Sequence, residues 1–285
     1  MNEIKAFLYS CNGESYSDDK WDYGLLKEIF NKNKIEQIRV TDIYETDRAF
    51  VVIPGSQNFG NEEKINEALN KIKKVVLFIT GDEEGIFDVK SIKHKNIDIW
   101  IQYPHAKHEK YNKLPLGVPQ HLKNNIPKYD KKTYDVYFGG QITHVRRQQL
   151  SQVMPKLKNS LYKPTDGFAK GDNPKEYYNN LLSSKVCPAP SGAVVIDSFR
   201  FYEALEMLSL PIADLRDSKN LITNFYYKMF EIMPIESVTD WYQLSGILEK
   251  ILKDYPNNMH EAVSWWIKCK RDLSIKIMRQ INAKV

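Results

Sequence analysis

A chain of 285 residues with 42% apolar, 12% aromatic and 27% charged side chains has material for packed cores, which excludes a disordered or fibrous protein. At roughly 100 to 150 residues per domain it is long enough for two. A net charge of +5 spread over many lysines allows an anionic ligand but falls short of a dense basic stripe. The local clusters, lysines 71, 73 and 74 and lysines 128, 131 and 132, read as solvated faces. Cys11, Cys187 and Cys269 are isolated thiols without metal-ligand spacing, and their odd number argues against a disulfide framework. No segment reaches transmembrane length, and the N-terminal apolar run is too short for a signal sequence. A cytoplasmic protein with no integral membrane contact is expected.

In the first half, β-rich runs at 4–9, 50–54, 75–80 and 97–102 alternate with helical patterns at 24–32 and 61–73. That alternation predicts βαβ units and a parallel sheet. Runs such as FVVI and VVLFI are apolar throughout, as expected of strands covered by helices on both faces. This half reads as Rossmann-like. Residues 115–132, with three prolines and no periodicity, read as a linker.

A second alternating series follows: strand 134–138, helix 146–154 ended by Pro155, a strand or loop near Tyr162, helix 174–182, strand 185–188, helix 198–207, strand 210–214 and a segment at 228–235. The chain closes with a helical pattern at 239–252, a break at Pro256 and a long helix at 258–282. Trp266, Leu273, Ile277 and Ile281 share one stripe of that helix while other apolar residues do not, so it touches two surfaces. The expected division is an N-terminal acceptor domain at 1–118, a linker at 119–133, a donor domain at 134–257 and a helix at 258–285 returning to the N-terminal domain.

Two junctions in the second half carry chemistry. In YDVYFGGQITHVRRQQL, beginning at Tyr134, a strand runs into Gly139 and Gly140 and then into a helix whose first turn holds Arg146 and Arg147. In a parallel α/β sheet such a junction lies at the carboxyl edge, where ligands bind. The glycines permit close approach of a ligand to the backbone, and either arginine can clamp a diphosphate with its forked donors. The second junction is the Pro188 to Gly192 loop, leading into a helix opened by an Asp197 or Ser198 cap. Arg200 and Glu203 stand three apart on that helix and share a face, either as a surface pair or as a ribose grip. In the second case Glu203 accepts from a ribose diol while the helix N-terminus faces a phosphate.

The run CPAPSG at Cys187, followed by DSFRFYEAL at Asp197 and LPIA at Leu210, resembles the exostosin-like glycosyltransferases. These belong to the two-Rossmann-domain (GT-B) nucleotide-sugar transferases. The likeness covers residues 134–215 and extends more loosely to 75–117 through LFITGDEEG and YNKLPLG. It departs from the family pattern at Leu208-Ser209-Leu210-Pro211, where the family has a glycine. The resemblance implies two Rossmann-like domains facing a cleft. It implies transfer of a sugar, with inversion, from a nucleotide-diphosphate sugar, a UDP-sugar being favoured, to an acceptor hydroxyl. It also implies a donor site of Gly139, Gly140, Arg146, Arg147, Pro190, Ser191, Gly192, Asp197, Ser198, Arg200 and Glu203. The acceptor is a glycan, a protein, a small molecule or a hydroxylated DNA base.

A departing nucleoside diphosphate can be stabilised by positioned cations and helix N-termini. No Asp-x-Asp occurs, so metal-independent transfer without a cofactor is expected. The catalytic base should be a carboxylate or histidine on a strand-end loop of the first domain. Asp82 and Glu83, in the acidic turn 81–85, are the first candidates, and Glu14, Asp18 and Asp19 the second. His105 and His108 have a spacing that can ligate a metal but lack further ligands nearby. The alternatives are a non-catalytic binding or scaffold protein of the same fold and a dinucleotide-dependent Rossmann enzyme. The latter needs a glycine fingerprint that SCNGES, with one glycine, does not supply.

Overall fold

The structure, a computed structural model, describes residues 3–12, 21–124, 128, 131–167 and 170–283. The chain divides into two compact units, Met1–Gln120 with Arg271–Val285, and His121–Lys270. Among the described residues no helix is long and apolar enough to cross a membrane.

The first unit contains β1 (Lys5–Tyr9), α1 (Gly24–Lys32), β2 (Glu36–Val40), β3 (Thr46–Pro54), α2 (Glu62–Leu69), β4 (Ile72–Thr80), β5 (Ile97–Ile101) and β6 (Asn112–Lys113). The strands form one sheet in the order β2-β1-β3-β4-β5-β6, parallel throughout. Successive side chains leave opposite faces. Phe7, Val51 and Leu77 therefore enter one apolar cluster, and Ala6, Phe50, Val76 and Phe78 the other. Burial on both faces accounts for the unbroken apolar runs. Two elements differ from expectation. The helix expected over 61–73 stops at Leu69, and β4 takes over at Ile72. Lys73 and Lys74, read from sequence as a solvated face, are β4 residues, and Lys74 reaches Asp98 on β5 at 2.6 Å. β2 was not anticipated, because none of its residues is fully buried and its sequence EQIRV is largely polar.

The second unit contains β7 (Tyr134–Gln141), α3 (Val145–Val153), β8 (Ser160–Thr165), α4 (Pro174–Leu182), β9 (Ser184–Ala189), α5 (Phe199–Glu206), β10 (Leu210–Asp214), α6 (Phe225–Phe230), β11 (Ser237–Val238) and α7 (Leu244–Lys253). Its parallel sheet runs β11-β10-β9-β7-β8. The segment at 228–235 begins inside α6 and continues irregularly.

The last helix, α8 (Asn257–Asn282), is shared between the units. Up to Lys270 it belongs with the second, where the Trp266 ring packs tilted against Tyr202, centroids 5.0 Å apart. From Arg271 it belongs with the first, where Ile277 and Ile281 join α1 over one face of the sheet.

Strand order reverses once in each sheet. From β7 the chain goes to β8 on one side and then crosses to β9 on the other. In the first sheet the same reversal separates β2 and β3 on either side of β1. At such a switch point the two connections diverge and leave a crevice outside the strand ends, the usual ligand position in open α/β sheets.

Candidate functional site

In the second unit the switch point lies between β7 and β9, and the loops leaving those strands carry the predicted residues. Gly140 has φ of +147°, and a Cβ there would stand 1.8 Å from Arg200 Nη2. A Cβ on Gly139 would stand 2.2 Å from the Tyr137 hydroxyl. The glycine pair thus makes room for side chains of this chain, where sequence reading assigned the space to a ligand. Arg200 uses that room to donate to the Gly139 carbonyl from Nε (3.1 Å) and Nη2 (2.9 Å), over the Phe138 ring.

Arg200 and Glu203 do not form a surface pair. Glu203 is 4% exposed. Its Oε2 accepts from the Tyr177 hydroxyl at 2.9 Å and its Oε1 from the Tyr178 hydroxyl at 3.2 Å. The Tyr178 oxygen also meets His121 Nε2 at 3.1 Å. Burial raises the proton affinity of Glu203, and the Arg200 charge and the two hydroxyls oppose it. One hydrogen bond on each oxygen leaves acceptor capacity on both. Both tyrosines come from α4, whose start is set by Asn173, the cap whose side chain accepts from Glu176 N, and by Pro174 in the first turn. Neither tyrosine nor His121 was singled out from sequence. Only the packing of α4 on α5 brings them to Glu203.

The two arginines of α3 have different surroundings. Arg146 is fully buried. Its Nε and Nη2 grip Asp214 at the end of β10, Nη2 at 2.8 Å, and its Nη1 donates to Gln149 and Asn220. Asp214 also accepts from Trp241 Nε1 and from the backbone N–H of Ser191 and Arg216. Arg146 is therefore a structural cation turned into the unit, where the sequence reading had it facing a diphosphate. Arg147 reaches the carbonyls of Gln141 and Ser191, each at 3.3 Å.

The Ser191 carbonyl also meets His144 Nε2 at 3.1 Å, while His144 Nδ1 and Ser191 Oγ are buried without a partner. Burial, with the Arg147 charge next in weight, pushes the His144 imidazole down to about 4. The ring is thus neutral at pH 7; since Nε2 faces a carbonyl it carries the proton, and Nδ1 presents a lone pair. Pro190 is buried and Gly192 half-buried in the same loop. Ser198 is the first residue before α5 but makes no side-chain cap. The Asp197 carboxylate instead takes the Ser198 N–H and the Tyr202 hydroxyl.

In the first unit Asp82 is 2% exposed, and its two oxygens accept from the backbone N–H of Ile86 (2.9 Å) and Phe87 (3.1 Å). It closes its own turn. Glu83 is half-buried, with its carbonyl against His105 Nε2 at 2.9 Å. Glu84 is exposed. Glu14, Asp18 and Asp19 lie outside the described residues. His105 and His108 close a short turn through the His105 N–H and His108 Nδ1. Among the described residues no group of three or more His, Cys, Asp or Glu is arranged to hold a metal ion. A carboxylate that sequence reading passed over, Asp22, stands at the edge of this sheet beside Tyr103 and Gly81.

No protein-family model matches the sequence, and no curated protein does. Among solved structures, AviGT4, a glycosyltransferase involved in avilamycin A biosynthesis, aligns over 99% of this chain and 98% of its own at a TM-score of 0.52 and 10% identity. This fold is shared with a glycosyltransferase. At TM-scores of 0.44, T4 phage BGT in complex with UDP and Mn2+ aligns at 14% identity over 98% of this chain and 97% of its own. An alpha1,3-fucosyltransferase aligns at 0.44 and 11% identity over 92% and 82%. The two α/β units, each with a parallel sheet covered by helices, are thus the architecture expected from sequence.

Proposed function

We propose that the chain is a glycosyltransferase of the GT-B kind, with the second unit binding a nucleotide-diphosphate sugar and the first receiving the acceptor. The observation that carries this reading is Glu203. A carboxylate buried to this degree, held by two phenol hydroxyls beside the switch point, with acceptor capacity left on each oxygen, suits a ribose diol. Arg147, Ser191 and His144 form the polar wall of the neighbouring loop and are suited to the phosphates and the sugar. Arg146 supports that wall from inside through Asp214 and the Ser191 N–H.

The fold shared with AviGT4 supports a transferase, and the CPAPSG, DSFRFYEAL and LPIA runs support the exostosin-like branch. A UDP-sugar donor, inverting transfer without a metal ion and a cytoplasmic location belong to the same proposal. So does an acceptor hydroxyl on a glycan, a protein, a small molecule or a hydroxylated DNA base.

The test is a thermal-shift panel of UDP, GDP, CDP, ADP and TDP. A ligand at one hundred times its Kd stabilises the native state by about 2.7 kcal/mol. One nucleotide is expected to raise the midpoint of the native chain and to leave a Glu203→Ala variant unmoved. Equal stabilisation of both rejects the site, and no stabilisation by any nucleotide rejects the function.

A further inference from the structure

With Asp82 committed to its own turn, the first unit still contains a carboxylate, Asp22, at the carboxyl end of its sheet. Asp22 lies in the short helical turn Trp21–Tyr23 that leads into α1, so it is delivered by the connection leaving β1, one side of the switch point in that sheet. It is half-buried. Its Oδ1 accepts from the Tyr103 hydroxyl at 2.7 Å. Its Oδ2 lies over Gly81, where a Cβ would come within 3.1 Å of it. Its carbonyl accepts from Nε2 of Gln102, a fully buried side chain, at 2.8 Å.

Gly81 directly follows β4, and Gln102 and Tyr103 directly follow β5. Two strand ends, those of β4 and β5, therefore meet at Asp22. Tyr103 holds its position with φ of +51°, a left-handed conformation that is strained for a non-glycine residue and that concentrates at functional sites.

We propose that Asp22 is the general base of the transfer and Tyr103 the residue that positions it, an assignment that rests on the transferase reading. The acceptor oxygen attacks C1 of the donor sugar while its proton passes to the Asp22 carboxylate. The bond from C1 to the β-phosphate oxygen breaks, and its electron pair leaves with the nucleoside diphosphate.

Water can stand in for the unidentified acceptor, so the readout is diphosphate release from UDP-glucose, UDP-galactose, UDP-N-acetylglucosamine, GDP-mannose and TDP-glucose. Asp22→Asn is expected to lower kcat for the hydrolysed donor by about 100-fold or more. Its KM and the midpoint shift given by UDP should not change. Tyr103→Phe, which keeps the ring, should lower kcat less and displace the acidic limb of the pH profile at constant KM. It also serves if Asp22→Asn fails to fold. Native rates in a folded Asp22→Asn variant that binds donor overturn the assignment and leave the transferase reading intact. A native chain that binds a donor and never releases diphosphate also overturns it. A native chain that binds no nucleotide rejects both.

Discussion

Gly140 is the residue at which backbone geometry and site chemistry meet most closely. With φ of +147° and Arg200 Nη2 occupying the space of a side chain, Gly140→Ala must both strain the backbone and expel the guanidinium from the Gly139 carbonyl. The expected cost is about 1–3 kcal/mol, read as a lower urea midpoint, with weaker nucleotide binding.

The buried histidines give a pH prediction at the same scale. Burial, followed by the Lys107 and His105 charges, pushes His108 down to about 4, and His144 is pushed down to about 4 by burial and Arg147. An unfolded histidine protonates near 6.5, so between about 6.5 and 4 the unfolded chain binds the extra protons. Stability is therefore expected to fall as pH drops through that window. Glu203, raised by burial, works in the opposite sense, because folding favours its protonated form. Urea midpoints followed from neutral pH into this window should decline, and His108→Gln should make the decline shallower. An unchanged slope in that variant would remove His108 from the account.

Between elements, α3 is tied to β10 through Arg146 and Asp214, both side chains essentially without solvent. Removing one partner of such a pair strands a buried charge, so Asp214→Asn is expected to cost about 3–5 kcal/mol. The double variant Arg146→Met with Asp214→Leu should recover only part of this. It removes both charges but leaves the Trp241 Nε1 and the Ser191 and Arg216 N–H donors without their acceptor. Chemical denaturation of the single and double variants measures the difference. A double variant as stable as the native chain would mean that those three donors find other acceptors. The pair also explains why the arginines at 146 and 147 could not be sorted by sequence. Adjacent residues on a helix point about 100° apart, and which of these two buried arginines meets Asp214 depends on where β10 ends.

For the whole molecule, the division of α8 makes the first unit depend on the last residues of the chain. Ile277 and Ile281 are fully buried against the sheet face that holds Leu8, Phe78 and Trp100, and Gln280 accepts from Trp100 Nε1 at 2.7 Å. Ile281→Ala is expected to cost about 2–5 kcal/mol. A chain ending at Lys270 should lose amide protection along β1, β3 and β4 in hydrogen exchange; full protection there would show that the first unit folds without its C-terminal segment.

Sequence by itself determined the two parallel sheets and the motif-bearing loops, because strands buried on both faces must be apolar throughout and helices between them must be amphipathic. It also brought out Arg200, Glu203 and the loop from Pro190 to Gly192, through local spacing and turn chemistry. Weakly buried or charged strands such as β2 and the start of β4 escaped it, since exposure erases the apolar signal. The tertiary structure alone decided which polar groups meet. Tyr177 and Tyr178 on Glu203, Asp214 on Arg146, and Tyr103 on Asp22 are brought together by strand order and helix packing. Their separations along the chain range from 25 to 81 residues, and no local pattern encodes contacts over that distance.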